Sequence, residues 1–270
     1  MKLSALRAAL TEAGIEEAGQ EARLLFSHFS GRPLSSLFGT DPDCTASGLA
    51  VALDRRLRRE PLAYILGQAD FYRQRYAVGP GCLVPRPDTE RLVELAVSLL
   101  PAGAHFADLC TGIGTIALSI LCERSDTTAA GFELSKEALG YAALNREKYG
   151  MNARFSLIRA DLLTSEPDGK FDAILSNPPY IPQKDLASLA PEVGYEPPGA
   201  LDGGEDGMLF YRRFLTFTPH LREGGFFLFE CGYDEEEKMA ELAEEKQFSF
   251  TPYRDYGGNF RVALLRRTPR

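Results

Sequence analysis

The 270-residue sequence has little of what would place it in several large protein classes. Its cysteines, Cys44, Cys82, Cys110, Cys122 and Cys231, are odd in number and scattered, and no CxxC pair occurs. That spacing suggests neither a zinc site nor a redox pair, so reduced thiols and no metal are expected. No apolar stretch is long enough to span a membrane, and the first residues carry no signal-like hydrophobic run. A cytoplasmic protein without a membrane partner is expected. An excess of positive charge is also missing. The net charge is −8; residues 1–75 carry 10 Lys/Arg against 9 Asp/Glu, and the remainder carries 20 against 29. Duplex binding needs clustered Lys/Arg, so stable nucleic-acid binding is not expected of so acidic a body. Internal repeats and low-complexity linkers are absent.

What is present is a hydrophobic share of 44%, enough for a substantial core. The first sixty residues read as short helices. Leu3, Leu6 and Leu10 keep helical spacing as far as Gly14, and Ala22, Leu25, Phe26 and Phe29 continue it. Leu49, Leu53 and Leu57 form another stripe, with Thr45 or Ser47 as its expected start. Arg55, Arg56, Arg58 and Arg59 crowd the end of that helix. They read either as a solvated face or as a contact for an acidic or nucleic-acid partner. Pro61–Gly67 is a compact turn and helix. Phe71-Tyr72 and Tyr76-Ala77-Val78 read as a β-hairpin, and Leu92, Leu95, Ala96 and Leu99 as a helix capped by Asp88 or Thr89.

From His105 onward strands alternate with helices. Strands are expected at 105–109, 129–133, 155–160, 171–176, 225–230, 248–253 and 261–265, with helices at 115–121, 136–149, 208–217 and 235–245. This alternation implies a mostly parallel sheet covered on both faces, closed by an antiparallel hairpin of the last two strands.

Candidate site residues follow four strand ends. Asp108-Leu-Cys-Thr-Gly-Ile-Gly114 leaves the first strand, and Gly112 and Gly114 permit close backbone approach to a ligand. An ordinary βα turn has the same look. Glu133 ends the second strand, where an acid can bind ribose hydroxyls. Asp161 follows the third strand. It is either a turn residue or an acceptor for an adenine amino group, with Leu162 against the ring. The fourth strand, Phe171–Ser176, stops at Asn177-Pro178-Pro179-Tyr180. The prolines stiffen the loop and end the strand ladder. The Asn177 side-chain oxygen and the Pro178 carbonyl form a pair of acceptors, and Tyr180 adds a flat face. That combination suits a planar –NH2 group. His28, His105 and His220 lie away from these segments and read as core or surface residues.

Asn-Pro-Pro-Tyr after a buried strand resembles the motif of S-adenosylmethionine-dependent methyltransferases that act on planar nitrogens. Together with Pro61-Leu-Ala-Tyr-Ile-Leu-Gly67, Val84-Pro-Arg-Pro-Asp-Thr-Glu90 and Glu196-Pro-Pro-Gly-Ala-Leu-Asp-Gly-Gly-Glu-Asp-Gly207, it resembles the release-factor glutamine N5-methyltransferases, the PrmC/HemK family. The resemblance implies an α/β fold, a seven-stranded Rossmann-like S-adenosylmethionine methyltransferase domain (86–270) preceded by a small helical bundle (1–67) and a β-hairpin linker (68–85). It implies S-adenosyl-L-methionine as cofactor, with S-adenosyl-L-homocysteine as product, held by Asp108, Cys110, Thr111, Gly112, Ile113, Gly114, Glu133, Asp161, Leu162 and Asn177. The implied substrate is the glutamine of the Gly-Gly-Gln loop in class 1 peptide-chain release factors. Asn177, Pro178, Pro179 and Tyr180 would bind it, with Asn177, Pro178 and Tyr180 as the catalytic set. The helical segment is expected to recognise the release factor. Cys110 stands where the family usually has Gly, Glu133 where Asp is commoner, Leu162 where some members carry an aromatic, and Asp234 where Gln is frequent. The alternative reading is a nucleic-acid base methyltransferase acting on adenine N6 or guanine N2, since those amino groups are equally planar.

Overall fold

The computed structural model describes residues 1–267, which divide into two compact units. One comprises Met1–Gln68 together with Ala190–Tyr195, and the other Ala69–Leu189 with the chain from Glu196 onward.

The first unit is helical: α1 (Leu3–Glu12), α2 (Ala18–Ser30), α3 (Ser47–Leu57) and α4 (Leu62–Leu66). Leu3, Leu6 and Leu10 of α1 are buried with Ala22, Leu25 and Phe26 of α2, and Leu49 and Ala52 of α3 join them. These positions recur at three- and four-residue spacing and make one apolar face per helix. Gly31, at φ +70°, ends α2 in the left-handed conformation, and its N–H bonds the Ser27 carbonyl.

One expectation for α3 needs correction. Its inner face runs Leu49, Ala52, Leu53, Arg56, so Leu57 is 39% exposed while Arg56 is only 4% exposed. The helix starts at Ser47, one of the two expected positions, with Ala46 before it and no side-chain cap. The arginine cluster is neither wholly solvated nor a free docking patch: Arg58 and its partner Asp54 are exposed, while Arg56 is buried. Arg56 Nε donates to Glu21 at 2.6 Å and its Nη1 to Glu192 at 2.9 Å, while Arg59 Nη2 reaches Glu192 at 3.1 Å. Arg55 pairs with Glu60 and Arg58 with Asp54.

The two-stranded β1 (Gln68–Phe71) and β2 (Gln74–Ala77) follow, all but Gln68 in the second unit, then α5 (Glu90–Leu99). A main sheet follows: β3 (His105–Leu109), β4 (Thr128–Glu133), β5 (Phe155–Arg159), β6 (Phe171–Ser176), β7 (Leu221–Glu230), β8 (Phe248–Arg254) and β9 (Phe260–Arg267). Between them lie α6 (Thr115–Glu123), α7 (Lys136–Lys148), α8 (Leu209–Phe214) and α9 (Glu236–Glu245). The sheet order is β5-β4-β3-β6-β7-β9-β8. The first five strands are parallel, and β9 runs antiparallel to both of its neighbours.

The sheet is seven-stranded, as expected from the alternating pattern, with differences at element ends. β7 starts at Leu221, because Leu221 pairs with Phe171 before an irregularity over the glycines brings Phe226 opposite Ala173. α8 stops at Phe214 and continues as a tighter helix to His220 with Pro219 inside it. Neither Asp88 nor Thr89 caps α5 through its side chain; a short 3-10 turn, Pro87–Thr89, leads into it. The core beneath α8 and α9 is aromatic, with Phe214, Phe217, Phe227 and Phe229 all fully buried. No helix among the described residues is long and apolar enough to cross a membrane.

Removing one partner of a buried ion pair strands the other charge, at about 3–5 kcal/mol. We therefore predict that Arg56→Ala lowers the stability of the helical unit by about 3 kcal/mol. Urea denaturation of the full chain, followed by far-UV circular dichroism, measures this. An unchanged midpoint and slope would mean that the carboxylates do not depend on Arg56.

Candidate active site

Neighbouring parallel strands finish at the same edge of a sheet. The order β5-β4-β3-β6 therefore gathers Asp161, Glu133, the loop Cys110–Gly114 and Asn177 along one border. A cleft of about 510 Å³ opens there, a size that suits a nucleoside-sized ligand. Cys110, Thr111, Gly112, Ile113, Glu133, Asp161, Leu162, Asn177 and Pro179 line it. Asp108 is fully buried, and neither it nor Gly114, Pro178 or Tyr180 lines the cleft.

The loop is held by carboxylates. Asp108 Oδ2 accepts from Thr111 Oγ1 at 2.6 Å and from the Ala117 N–H at 3.2 Å, satisfying a donor in the first turn of α6. Glu133 accepts from the Gly112 N–H at 2.9 Å and the Ser135 N–H at 2.8 Å. It thus braces the loop as well as facing the cleft, and a carboxylate so engaged still has lone pairs for a ligand's hydroxyls. Gly112 has φ +57°, and a Cβ placed there would meet nothing within 4 Å. Its backbone is open to a ligand on the cleft side. Asp108 Oδ1 is buried and has no partner among the described residues. Cys110 has φ +56°, a left-handed conformation in which a side chain costs about 1–2 kcal/mol relative to the right-handed one. Asp161 Oδ1 accepts from the Leu163 N–H at 3.0 Å, so its turn role is real, and its other oxygen takes no part in that bond. An open glycine backbone and spare carboxylate oxygens at successive strand ends fit a cationic nucleoside such as S-adenosylmethionine.

The opposite side is built by the Asn-Pro-Pro-Tyr segment. Ser176 Oγ donates to the Leu109 carbonyl at 2.6 Å and fastens β6 to β3 just before Asn177. Asn177 Nδ2 donates to Thr89 Oγ1 at 3.1 Å. The Tyr180 ring packs on the apolar core, and its hydroxyl donates to Glu230 Oε1 at 3.4 Å. Beyond it, Ile181 N–H donates to the Leu201 carbonyl and Gly203 N–H to the Ile181 carbonyl, both at 2.9 Å. The glycines of Asp202–Gly207 are needed for this approach. A Cβ on Gly203 would fall 2.7 Å from Tyr180 Cα, and one on Gly207 2.5 Å from the Tyr180 carbonyl oxygen. Buried Glu196 accepts from the Val84 N–H at 3.1 Å and from Arg86 Nη2 at 2.6 Å, so two sequence motifs meet at the rim of the cleft.

Sequence reasoning missed several contributors. Thr89 reads as a helix cap, yet it bonds Asn177. Glu230 ends β7, next to β6 in the sheet, and that strand-end position is the signal that could have found it. Asn145 is fully buried and bonds the Ala77 and Ile113 carbonyls at 3.0 and 3.1 Å; nothing in its sequence surroundings marks it. Phe210 brings an aromatic ring to the cleft from α8.

Comparison with known proteins gives a consistent picture. The family model "Methyltransferase small domain" matches residues 90–222, and "PrmC N-terminal domain" matches residues 3–67. The chain is 39% identical over 239 residues to a release factor glutamine methyltransferase of Geobacter sulfurreducens, covering 86% of this chain and 84% of that protein. It is 35% identical over 283 residues to the namesake of Agrobacterium fabrum, covering 98% and 96%. Among solved structures, a methyltransferase from Pyrococcus furiosus superposes with a TM-score of 0.52 at 22% identity, covering 70% of this chain and 86% of that one. A ribosomal protein L11 methylase from Lactobacillus delbrueckii gives 0.51 at 21%, covering 71% and 84%. The two structures share the fold.

Three carboxyls in the sheet unit titrate far from their ordinary range. Burial pushes Asp108, Glu230 and Glu235 each up to about 7. For Glu230 the Thr89 hydroxyl and the Arg261 guanidinium pull the other way without prevailing. A raised acid holds its proton longer folded than unfolded. Its contribution to stability is full below the unfolded pKa, near 4, and is lost as pH rises through about 7. We predict that stability falls between about pH 4.5 and 7.5, and that Glu230→Gln is more stable than the parent at pH 8 by roughly 2 kcal/mol. Denaturant titrations at pH 5 and pH 8 measure the difference. A gain of equal size at both pH values would show that ionisation of Glu230 is not its source.

Proposed function

The chain belongs to the release factor glutamine methyltransferase family, and on that premise we propose the reaction that its cleft performs. A methyl group passes from S-adenosyl-L-methionine to the side-chain amide nitrogen, N5, of the glutamine in the Gly-Gly-Gln motif of class 1 peptide-chain release factors. S-adenosyl-L-homocysteine is left, and the reaction takes place in the cytoplasm. The cofactor, when bound, supplies an electrophilic methyl on a sulfonium.

The chain's residues do the rest. The Gly112 backbone lies against the ligand, Glu133 accepts from the ribose hydroxyls, and Asp161 accepts from the adenine amino group beside Leu162. Asp108, Cys110, Thr111, Ile113 and Gly114 give the loop its shape. A glutamine amide nitrogen is a weak nucleophile because its lone pair is delocalised into the carbonyl. Asn177 Oδ1 and the Pro178 carbonyl accept its two N–H bonds and aim the nitrogen at the methyl. Those bonds strengthen as positive charge develops on nitrogen, so they favour the transition state over the bound substrate. The proton leaves after the N–C bond has formed, when it is acidic, and no side-chain base is required. Pro179 stiffens the loop, and Tyr180 anchors it through Glu230.

The observation that supports this reading best is the Asn177 amide. Its nitrogen is occupied by Thr89 at 3.1 Å, which leaves the oxygen as the end free to accept. We further propose that residues 1–67 recognise the release factor, that 68–85 link, and that 86–270 catalyse. In support, every residue lining the cleft belongs to the second unit. A base methyltransferase finds less support, because the arginine cluster that could have favoured it is paired within the chain.

The test is to supply methyl-labelled cofactor with a release factor or with DNA and to locate the label, which we expect on the glutamine of the factor. Label on DNA alone would overturn the substrate. Asn177→Ala is expected to slow single-turnover transfer by about 10²–10³, with cofactor affinity largely kept in calorimetry. A rate within about threefold of the parent would remove Asn177 from the mechanism.

A further inference from the structure

A carbonyl just outside the start of a helix has no place in the helix ladder, and a buried one must find a partner elsewhere. Ile113 is such a residue. It is 2% exposed, and the first bond of α6 is made one residue later, from the Leu118 N–H to the Gly114 carbonyl at 2.9 Å. The N–H that a longer helix would aim at Ile113, that of Ala117, goes to Asp108 Oδ2 instead. The Ile113 carbonyl is met by the side chain of Asn145, whose Nδ2 donates to it at 3.1 Å. Asn145 lies on α7 and is fully buried. Its remaining capacity clasps Ala77 at the end of β2. Oδ1 accepts from the Ala77 N–H at 2.7 Å, and Nδ2 donates to the Ala77 carbonyl at 3.0 Å. Only one orientation of the amide makes all three bonds, because the reverse would set its oxygen against two carbonyls.

These three bonds tie together two segments that line the cleft. Ile113 belongs to the loop after β3 and lines it directly. Past Ala77 the chain lies against α7, where a Cβ on Gly79 would fall 2.1 Å from Tyr141 Oη and one on Gly81 3.2 Å from Glu137 Cβ. Gly81, Cys82 and Leu83 then line the cleft as well. Asn145 stands behind both segments and is not itself part of the lining. We infer that Asn145 is a positioning residue that fixes the spacing between the Ile113 loop and the segment that leaves Ala77, and so sets the affinity of the cleft for its cofactor. This rests on the reading that the cleft holds S-adenosylmethionine. Asn145 touches no reacting atom, so what it contributes is shared by ground and transition states, and its loss weakens binding more than it slows the saturated reaction.

A residue that only anchored β2 to α7 would behave like Tyr149. Its hydroxyl accepts from the Arg75 N–H at 2.9 Å and donates to the Arg75 carbonyl at 2.6 Å, both on β2. The experiment therefore sets Asn145→Leu, which keeps the shape, and Asn145→Ser, which leaves room for water, against Tyr149→Phe. Each is made as the full chain, with its fold checked by circular dichroism. Calorimetry measures the affinity for S-adenosyl-L-homocysteine, and kcat is taken at saturating cofactor with intact release factor. Both Asn145 variants are expected to raise Kd about tenfold with kcat within about threefold of the parent, while Tyr149→Phe binds within about twofold. In the unmodified chain, bound S-adenosyl-L-homocysteine should slow hydrogen exchange of the Ala77 amide more than that of the Arg75 amide, because only Ala77 is bonded to the residue that holds the loop. A folded Asn145 variant that binds within about twofold of the parent would overturn the inference. So would a Tyr149→Phe chain that binds as weakly, or an Ala77 amide that gains no more protection than Arg75. If the parent binds no S-adenosyl-L-homocysteine, the cofactor reading fails and takes this inference with it; if the parent binds and the Asn145 variants match it, only the role of Asn145 fails.

Discussion

Everything at the cleft depends on five parallel strands being adjacent and in register. Such strands need helices on both faces, and their carboxyl ends fall on one edge. Side chains far apart in sequence, Asp161 after β5, Glu133 at the end of β4 and Asn177 after β6, become neighbours only for that reason. The same constraint explains the buried carboxyls. Asp108 closes the last turn of a strand walled in on both sides, and Glu230 closes the next such strand beyond β6. Neither can reach water; Asp108 Oδ2 is bonded to the loop that follows and Glu230 Oε1 to Tyr180, and the other oxygen of each has no partner among the described residues.

These acids oppose folding where they serve the site. A fully buried carboxyl that must ionise weakens the fold at neutral pH, and an amide or apolar group of the same shape would relieve that. The left-handed Cys110 belongs to the same class of local strain, in the loop that lines the cleft. Against it stand the close-packed glycines. Gly203 and Gly207 let the chain after Tyr180 lie directly on the returning segment, and no other residue type fits without moving Tyr180. The conformation of the Asn-Pro-Pro-Tyr loop is therefore imposed from both sides, by its own prolines and by a glycine-rich strap.

Much of this was legible in the sequence. The strands β3 to β6 stand within a residue of where the apolar runs put them, because each run is short, β-prone and closed by Gly, Pro or an acid. The strand-end acids and Asn177 were legible too, since position at a strand end follows once the strand is found. What was not legible depends on contacts across the chain. Arg55–Arg59 looked like a surface charge run, because nothing local reveals that Glu21 and Glu192 come to Arg56. Thr89 looked like a cap, because capping is the local explanation for a threonine before a helix. Tyr180 looked like a stacking face, yet its ring turns to the core and its hydroxyl to Glu230. Local pattern gives position along an element; partners drawn from distant segments decide what a polar side chain does there.

The arrangement also explains why an asparagine, and no other short acceptor, suits position 177. An aspartate has acceptor oxygens but no N–H to donate to Thr89. A serine or threonine has an acceptor, but its single rotating hydroxyl cannot keep an acceptor face open while donating to a fixed partner behind. Only a planar amide joins an acceptor and a donor rigidly, about 2 Å apart, with the donor end held by the protein and the acceptor end left open. The bond from Asn177 to Thr89 therefore constrains the residue type at 177 from within the protein.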